Sequence, residues 1–320
     1  MAGGGSWSAA VLQLLKRMNS FHSQGSSKSS CRPLYVAGQQ VGLVPPRVSA
    51  HLTDYPDVFQ PSRSELGPVE LCAGLSTYEE RSCALRRVLE HWKSLQLFDC
   101  LRGWRDESYD VMPRFCDPPL LQLERSAASL FGIKTYGVHV NGFTRLPDGE
   151  MAMWVGRRAH SKPTFPGMLD NLAAGGLAAG LGVKETLVKE CEEEASIPES
   201  ISSRARPVGS VSYTYEDERG IFPECQFVYD LEVPADLVPQ VKDGEVLEFY
   251  LWPLEQSRVQ PQCQRQDHCS LFLVKEAIVG SEFKPNCALV ALDFLIRHGV
   301  VDADGERYYQ QFVEGLHREL

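Results

Sequence analysis

No CxxC pair occurs in this chain, although its 320 residues include ten cysteines. Cysteines without paired spacing or a secretory signal read as reduced thiols in an intracellular compartment, with no disulfide framework. Cys263, His268 and Cys269 come nearest to a metal cluster, but they lack a second ligand pair, which argues against structural zinc. No lysine and arginine block is present and the formal charge is −10, which excludes a nucleic-acid polymer as the expected partner. No apolar run reaches the ~20 residues that cross a bilayer, so no membrane partner is expected. A Walker A loop is missing too, and with it P-loop phosphoryl transfer.

Acid is scarce at one end. Nothing acidic precedes Asp54, while five basic residues do, the bias of a mitochondrial transit peptide. Against that stands an amphipathic pattern in the same stretch. Val11, Leu12, Leu15, Met18 and Phe21 recur at helical spacing and predict a helix from Ala9 to Phe21. The expected location is therefore cytoplasmic, with a mitochondrial one as the alternative.

What is abundant is carboxylate at one place. Glu190, Glu192, Glu193 and Glu194 fall within five residues, shortly after the glycine-rich turn that holds Gly175 and Gly176. On a helix, Glu190, Glu193 and Glu194 share one face, and Leu187, Val188, Cys191 and Ala195 form an apolar stripe on the other side. Like charges one turn apart, near the end of a helix whose dipole disfavours anions, call for a cation. Magnesium takes hard oxygen ligands of this kind, with substrate phosphates and water completing its shell. A solvated acidic face is the competing reading.

The spacing narrows the choice. Gly175, Glu190, Cys191, Glu193, Glu194 and Ile197 fall on positions of the Nudix box, G-x5-E-x7-R-E-U-x-E-E-x-G-U, where U is apolar. Leu181, Lys189 and Ser196 stand where that motif has glutamate, arginine and glycine. Flanking segments sharpen the match, among them Trp154-Val155-Gly156-Arg157-Arg158, Phe165-Pro166-Gly167, Gly220-Ile221-Phe222-Pro223-Glu224 and Asp243-Gly244-Glu245-Val246. Together they resemble the eukaryotic Nudix subfamily related to thiamin diphosphate, some of whose members are joined to a thiamin pyrophosphokinase.

The resemblance implies a magnesium-dependent hydrolase, with manganese as a substitute metal. Its expected substrate is a small-molecule diphosphate: thiamin diphosphate and its damaged oxy- and oxo- analogues, cleaved to monophosphate and orthophosphate in metabolite repair. Alternatives are a hydrolase of nucleoside diphosphate derivatives and a non-hydrolytic binding module on the same fold. By the same resemblance Glu190, Glu193 and Glu194 ligate metal, and Glu193 and Glu194 serve catalysis together with Glu245 as a candidate base. Gly175 and Gly176 admit the phosphates to the backbone. Of the adjacent strand residues Arg157 and Arg158 at most one reaches phosphate, and Arg158 is taken as the contact. The oligomeric state has no signature in the sequence.

The predicted fold is α/β: a Nudix α/β/α sandwich with a mixed sheet, preceded by a small α+β domain. The expected division is a disordered tail over 1–10, an N-terminal domain over 11–132, the Nudix domain over 133–280, and C-terminal helices over 281–320 packed on it. Within the first domain, Thr77 with Glu80 three residues on predicts a capped helix to Leu97. A second helix is predicted from Leu120 to Phe131. Strands are predicted over Val208 to Tyr215, Cys225 to Val233 and Val246 to Pro253, with Glu216 to Phe222 as a connection.

Overall fold

A computed structural model describes residues 7–62, 64, 66–254 and 273–320. The Cys263, His268 and Cys269 group lies outside the described residues, as does most of the tail expected over 1–10. Helix α1 (Trp7–Met18) already begins inside that tail.

The first region builds its own core. Strands β1 (Arg32–Val36) and β2 (Gln39–Val44) pair antiparallel, helix α2 (Pro46–Leu52) follows, and β3 (Phe59–Pro61) and β4 (Val69–Leu71) complete a sheet of order β2-β1-β4-β3. Helix α3 (Tyr78–Ser94) carries the predicted capping box. Thr77 Oγ1 accepts from the Glu80 amide at 3.1 Å, and the Glu80 carboxylate accepts from the Thr77 amide at 3.0 Å. Such a cap contributes about 1 kcal/mol. Leu85, Val88, Leu89 and Trp92 bury the inner face of α3 against Phe98, Leu121, Leu123 and Phe131.

The predicted helix from Leu120 to Phe131 is corrected. That segment is strand β6 (Leu121–Glu124), paired with β5 (Ser108–Val111), followed by a tight 3-10 turn over Arg125–Leu130. Leu121 and Leu123 are buried and Gln122 between them is exposed, the alternation of a half-buried strand. Glu124 then accepts from the Ser126 amide and starts the turn.

The second region is a mixed seven-stranded sheet. Its strands are β7 (Thr135–Arg145), β8 (Met151–Arg158), β9 (Leu169–Asp170), β10 (Ala173–Gly176), β11 (Arg206–Asp217), β12 (Gly220–Glu232) and β13 (Val246–Pro253). The main path runs β11-β12-β7-β8-β13, with β10 added on β7 and β9 on β8. Only β12 and β7 run parallel. Helix α4 (Val183–Ala195) covers one face through Leu187, Cys191 and Ala195, which meet Val138, Val140 and Leu172. After α5 (Glu199–Ser202), α6 (Val274–Ala277), α7 (Pro285–Arg297) and α8 (Tyr309–Leu316) complete the chain. The other face is covered by α7 and α8, joined by α1, whose Val11, Leu15 and Met18 enter the same core. Helix α1 therefore precedes the first region in sequence but packs on the second.

The connection expected over Glu216 to Phe222 is also corrected. Strands β11 and β12 pair from Arg206↔Asp230 to Asp217↔Gly220, with a bulge between Pro207 and Gly209, leaving Glu218 and Arg219 as the loop. Asp217 stabilises that loop by accepting from the Arg219 amide at 2.8 Å. Gly220, at φ 149, fits against Ser129, where a Cβ would strike the backbone carbonyl. The longer hairpin carries Tyr215 and Phe222 out to the edge where the two regions meet.

Helix α4 ends on Ser196 in the left-handed conformation, φ 53 and ψ 31. A non-glycine residue there costs about 1–2 kcal/mol. Glycine removes that strain but adds disorder to the unfolded chain, about 0.5–1 kcal/mol. Ser196→Gly is therefore expected to raise stability by up to about 1 kcal/mol with turnover unchanged, read from chemical denaturation midpoints at constant slope. A fall in midpoint would show that the serine side chain stabilises the turn.

Candidate active site

A cavity of about 800 Å³ opens where the two regions meet. Tyr109, Arg125 and Ser129 come from the first region; Tyr136, His139, Ala174, Gly175, Gly176, Tyr215, Phe222, Glu224 and Lys284 come from the second. Tyr215 and Phe222 stack face to face with centroids 4.6 Å apart.

Glu190 and Glu194 stand directly against the β10 wall of this cavity. The Glu194 carboxylate accepts from the Ala174 amide at 2.9 Å. Gly175 lies over Glu190 so closely that a Cβ there would sit 2.7 Å from its Cγ and nearer still to its carboxyl. Glycine is required at this point by close approach rather than by backbone conformation. Burial pushes the Glu194 carboxyl well above its ordinary range, and the neighbouring Asp170 adds to the effect. Burial raises Glu190 too, with Lys189 opposing. Glu194 makes no ion pair among the described residues, and Glu190 has only Lys189, at 3.3 Å.

A buried and a partly buried carboxylate, short of positive charge, form a donor set suited to a hard divalent cation. No three His, Cys, Asp or Glu side chains among the described residues are gathered around one point. A cation held here therefore takes the rest of its shell from substrate oxygens and water, the usual habit of magnesium.

The other candidates are placed differently. Glu193 is half exposed and bound to Lys189 at 2.9 Å, the lysine that also reaches Glu190, whereas Glu194 is turned inward to the Ala174 amide. Gly176 lies beneath Tyr109, whose hydroxyl occupies the space of a Cβ. Arg158 is buried and donates to Asp170 at 2.7 Å and to the carbonyls of Thr164 and Phe165, both at 3.1 Å. It is not among the cavity-lining residues. Arg157 is engaged by Gly167, Tyr250 and Glu282. Glu245 is paired with Lys162. Burial disfavours its charge, yet the Lys162 ammonium, with Arg158 behind it, holds the carboxyl below its ordinary value.

Three residues that the sequence reading passed over define the rest of the site. Glu224 lies in the cavity wall, accepting from the Tyr213 hydroxyl at 2.6 Å and from Gln226 at 3.1 Å. Its carboxyl is raised by burial. The signal was present in β12, where Glu224, Gln226 and Asp230 alternate on one face of a central strand otherwise rich in apolar residues. Lys284, at the start of α7, bonds Asp170 at 3.3 Å. Burial opposes charge on both, and the opposite charge each faces outweighs it; Arg158 adds to the effect on Asp170, which is held well below the usual carboxylate range. His139 bonds Asn171 at 2.8 Å, and burial beside Lys284 brings its pKa down to about 4, so it is neutral at physiological pH.

Comparison with known proteins decides the family. Residues 135–271 match the NUDIX domain, and residues 10–135 match a domain of unknown function, DUF4743. The chain is 40% identical to Nudix hydrolase 20, chloroplastic, of Arabidopsis thaliana, over 86% of this chain and 70% of that protein. This chain belongs to the Nudix hydrolase family. It is likewise 39% identical to Nudix hydrolase 24, chloroplastic, of the same plant, with the same coverage. An uncharacterised protein of Saccharomyces cerevisiae is 38% identical over 69% of this chain and 63% of its own length. As a Nudix hydrolase, the chain is an enzyme acting on diphosphate-containing small molecules. No helix among its described residues is long and apolar enough to cross a membrane.

Proposed function

We propose that this Nudix hydrolase cleaves thiamin diphosphate and its damaged oxy- and oxo- analogues, releasing the monophosphate and orthophosphate. The observation that carries the reading is one cavity with an aromatic wall whose β10 wall, Ala174 and Gly175, is backed by two under-neutralised carboxylates. Its volume of about 800 Å³ lies in the usual range for small-molecule sites and accommodates a heteroaromatic ring with a diphosphate tail. Tyr136, Phe165, Tyr215 and Phe222 offer ring faces, while Gly175 and Gly176 let Glu190 and Tyr109 close on the β10 backbone beside them.

Glu190 and Glu194 would hold magnesium, or manganese in its place. Bound there, the cation would neutralise charge on the phosphate oxygens and favour ionisation of water. The proton released from water needs an acceptor. Glu224 is better suited to that role than Glu245, because burial raises its carboxyl towards neutrality while Glu245 is held ionised by Lys162. Glu193, exposed and paired with Lys189, is assigned a supporting electrostatic role. Arg158 contributes by fixing Asp170 behind the cavity wall.

The chloroplast designation of the two plant relatives supports an organellar location for this chain. The unpaired cysteine pattern is compatible with the cytoplasm as well.

A panel of thiamin diphosphate, its oxy-analogue, ADP-ribose and a nucleoside triphosphate, each with and without magnesium, tests the proposal. Oxythiamin diphosphate is expected to be hydrolysed with higher kcat/KM than ADP-ribose, and only with metal. Preference for ADP-ribose would assign the site to nucleoside diphosphate derivatives.

A further inference from the structure

The cavity has a second wall whose function the family box does not supply. Arg125 stands at the junction of β6 and the following 3-10 turn, in the DUF4743 region. Its amide donates to the Glu107 carbonyl at 2.8 Å, and its Nη1 donates to both carboxylate oxygens of Glu107, at 3.1 and 3.0 Å. The guanidinium also lies over the Tyr109 ring, 5.5 Å from its centroid. The side chain is thus held by one nitrogen and one ring. Among the described residues, its Nε and Nη2 have no hydrogen-bond partner.

The other cations of the cavity are spoken for or lie at its rim. Lys284 is bound by Asp170, and Arg219 binds Asp217 through Nε and Nη2. Arg102 is exposed and paired with Asp99, and Arg17 and Arg105 are exposed. Arg125 is two-thirds buried and close enough to Glu190 for each charge to bear on the other. A planar fork with two free donors, in a partly dry site, matches two oxygens of a phosphate group.

The contact between the regions places this fork reproducibly. Strand β5 is tied to the loop that enters α4: Ala179 donates to the Ser108 carbonyl at 2.8 Å, and Gly180 donates to the Asp110 carboxylate at 2.9 Å. Asp110 is itself anchored by the Tyr78 hydroxyl at 2.9 Å. Glu107, Tyr109 and Arg125 therefore share a framework with the loop leading to Glu190 and Glu194.

We propose that Arg125 is a diphosphate-binding residue contributed by the N-terminal region, its free edge taking non-bridging phosphate oxygens while Glu107 orients it. This assignment rests on the diphosphate-hydrolase reading for its substrate. It makes the N-terminal region part of the active site.

The experiment compares wild type with Arg125→Lys and Arg125→Met. It measures KM with the best substrate of the panel, and calorimetric binding of methylenediphosphonate in magnesium. Lysine keeps the charge but loses the fork, so KM and the diphosphonate Kd are both expected to rise at least tenfold in either variant, with melting temperatures near wild type. Wild-type KM and Kd in both variants would overturn the proposal. Should either variant fold poorly, the wild-type protein gives the answer through phenylglyoxal labelling located by mass spectrometry. Protection of Arg125 by methylenediphosphonate supports the assignment, and an unchanged labelling rate at Arg125 refutes it. A wild-type protein inert towards every diphosphate would sink the hydrolase reading, whereas the diphosphonate measurements still report on Arg125.

Discussion

Glu194→Gln is expected to lower magnesium-dependent turnover by at least 10²-fold, the scale of removing one electrostatic contact to a developing charge. The substitution keeps shape and leaves the bond from the Ala174 amide available to the side-chain oxygen. Metal-free folding should not suffer, because the lost charge is buried and repelled by Asp170. The sign of the pH effect follows from the raised carboxyl. A buried acid that prefers its proton contributes stability below its ordinary pKa of 4.5 and loses it as pH rises through the higher folded value. Metal-free wild type should therefore weaken as pH rises above the ordinary carboxyl value of 4.5, and Glu194→Gln should weaken less. Asp170 and Asp230, whose carboxyls are depressed, act in the opposite sense. Their stabilisation is present above the ordinary aspartate value and fades as pH falls through the depressed one, in wild type and variant alike. Near wild-type turnover in Glu194→Gln would remove the central role assigned to α4.

The second large effect is expected from a single added methyl. Gly175→Ala places a Cβ within 2.7 Å of the Glu190 Cγ, and the carboxyl must swing aside. The displaced group is the end of a flexible side chain, and Lys189 stands ready to receive it at 3.3 Å. The sheet pairing of Gly175 with Val138 does not depend on the side chain. The protein should fold with a loss of about 1 kcal/mol or less, within the usual range for a single substitution, and lose about 10²-fold in kcat. Crystallography of the variant would show Glu190 rotated away. Undiminished kcat would mean that the position of Glu190 is immaterial to the chemistry.

Legibility in the sequence tracked how local each signal was. The capping box at Thr77 and Glu80 and the amphipathic stripe of α4 are contained within a few residues, and the structure has both. The segment from Leu120 to Phe131 reads as a helix because two leucines at i and i+2 precede a run of small residues that suits a helical turn, and only pairing with β5 selects the strand. The acidic face of α4 was read as a unit, yet Glu193 and Glu194 part company. Neighbours on a helix differ by 100°, and the edge of β10 receives one while solvent takes the other. Glu224 escaped notice because its meaning lies in its partners. Tyr213 on the adjacent strand and Gln226 on its own make a carboxyl inside the sheet tolerable. Glu245 drew attention through its turn motif, but the Lys162 that occupies it sits 83 residues away.

Helix α1 gives the molecule a property that its two sequence segments do not suggest. Between Trp7 and Met18 the chain packs on the second region, then leaves to build the first, and then returns. Val11, Leu15 and Met18 are held beneath α7 and α8, while Trp7 meets Phe312 edge-on at 5.9 Å. A cut near residue 135 would thus yield one piece carrying α1 with its apolar face uncovered and another with the groove that held that face laid bare. The boundary between the two matched domains is therefore not a line along which the protein can be divided. Gene dissection would have to keep the first twenty residues with the last two hundred, or join them anew in a permuted order.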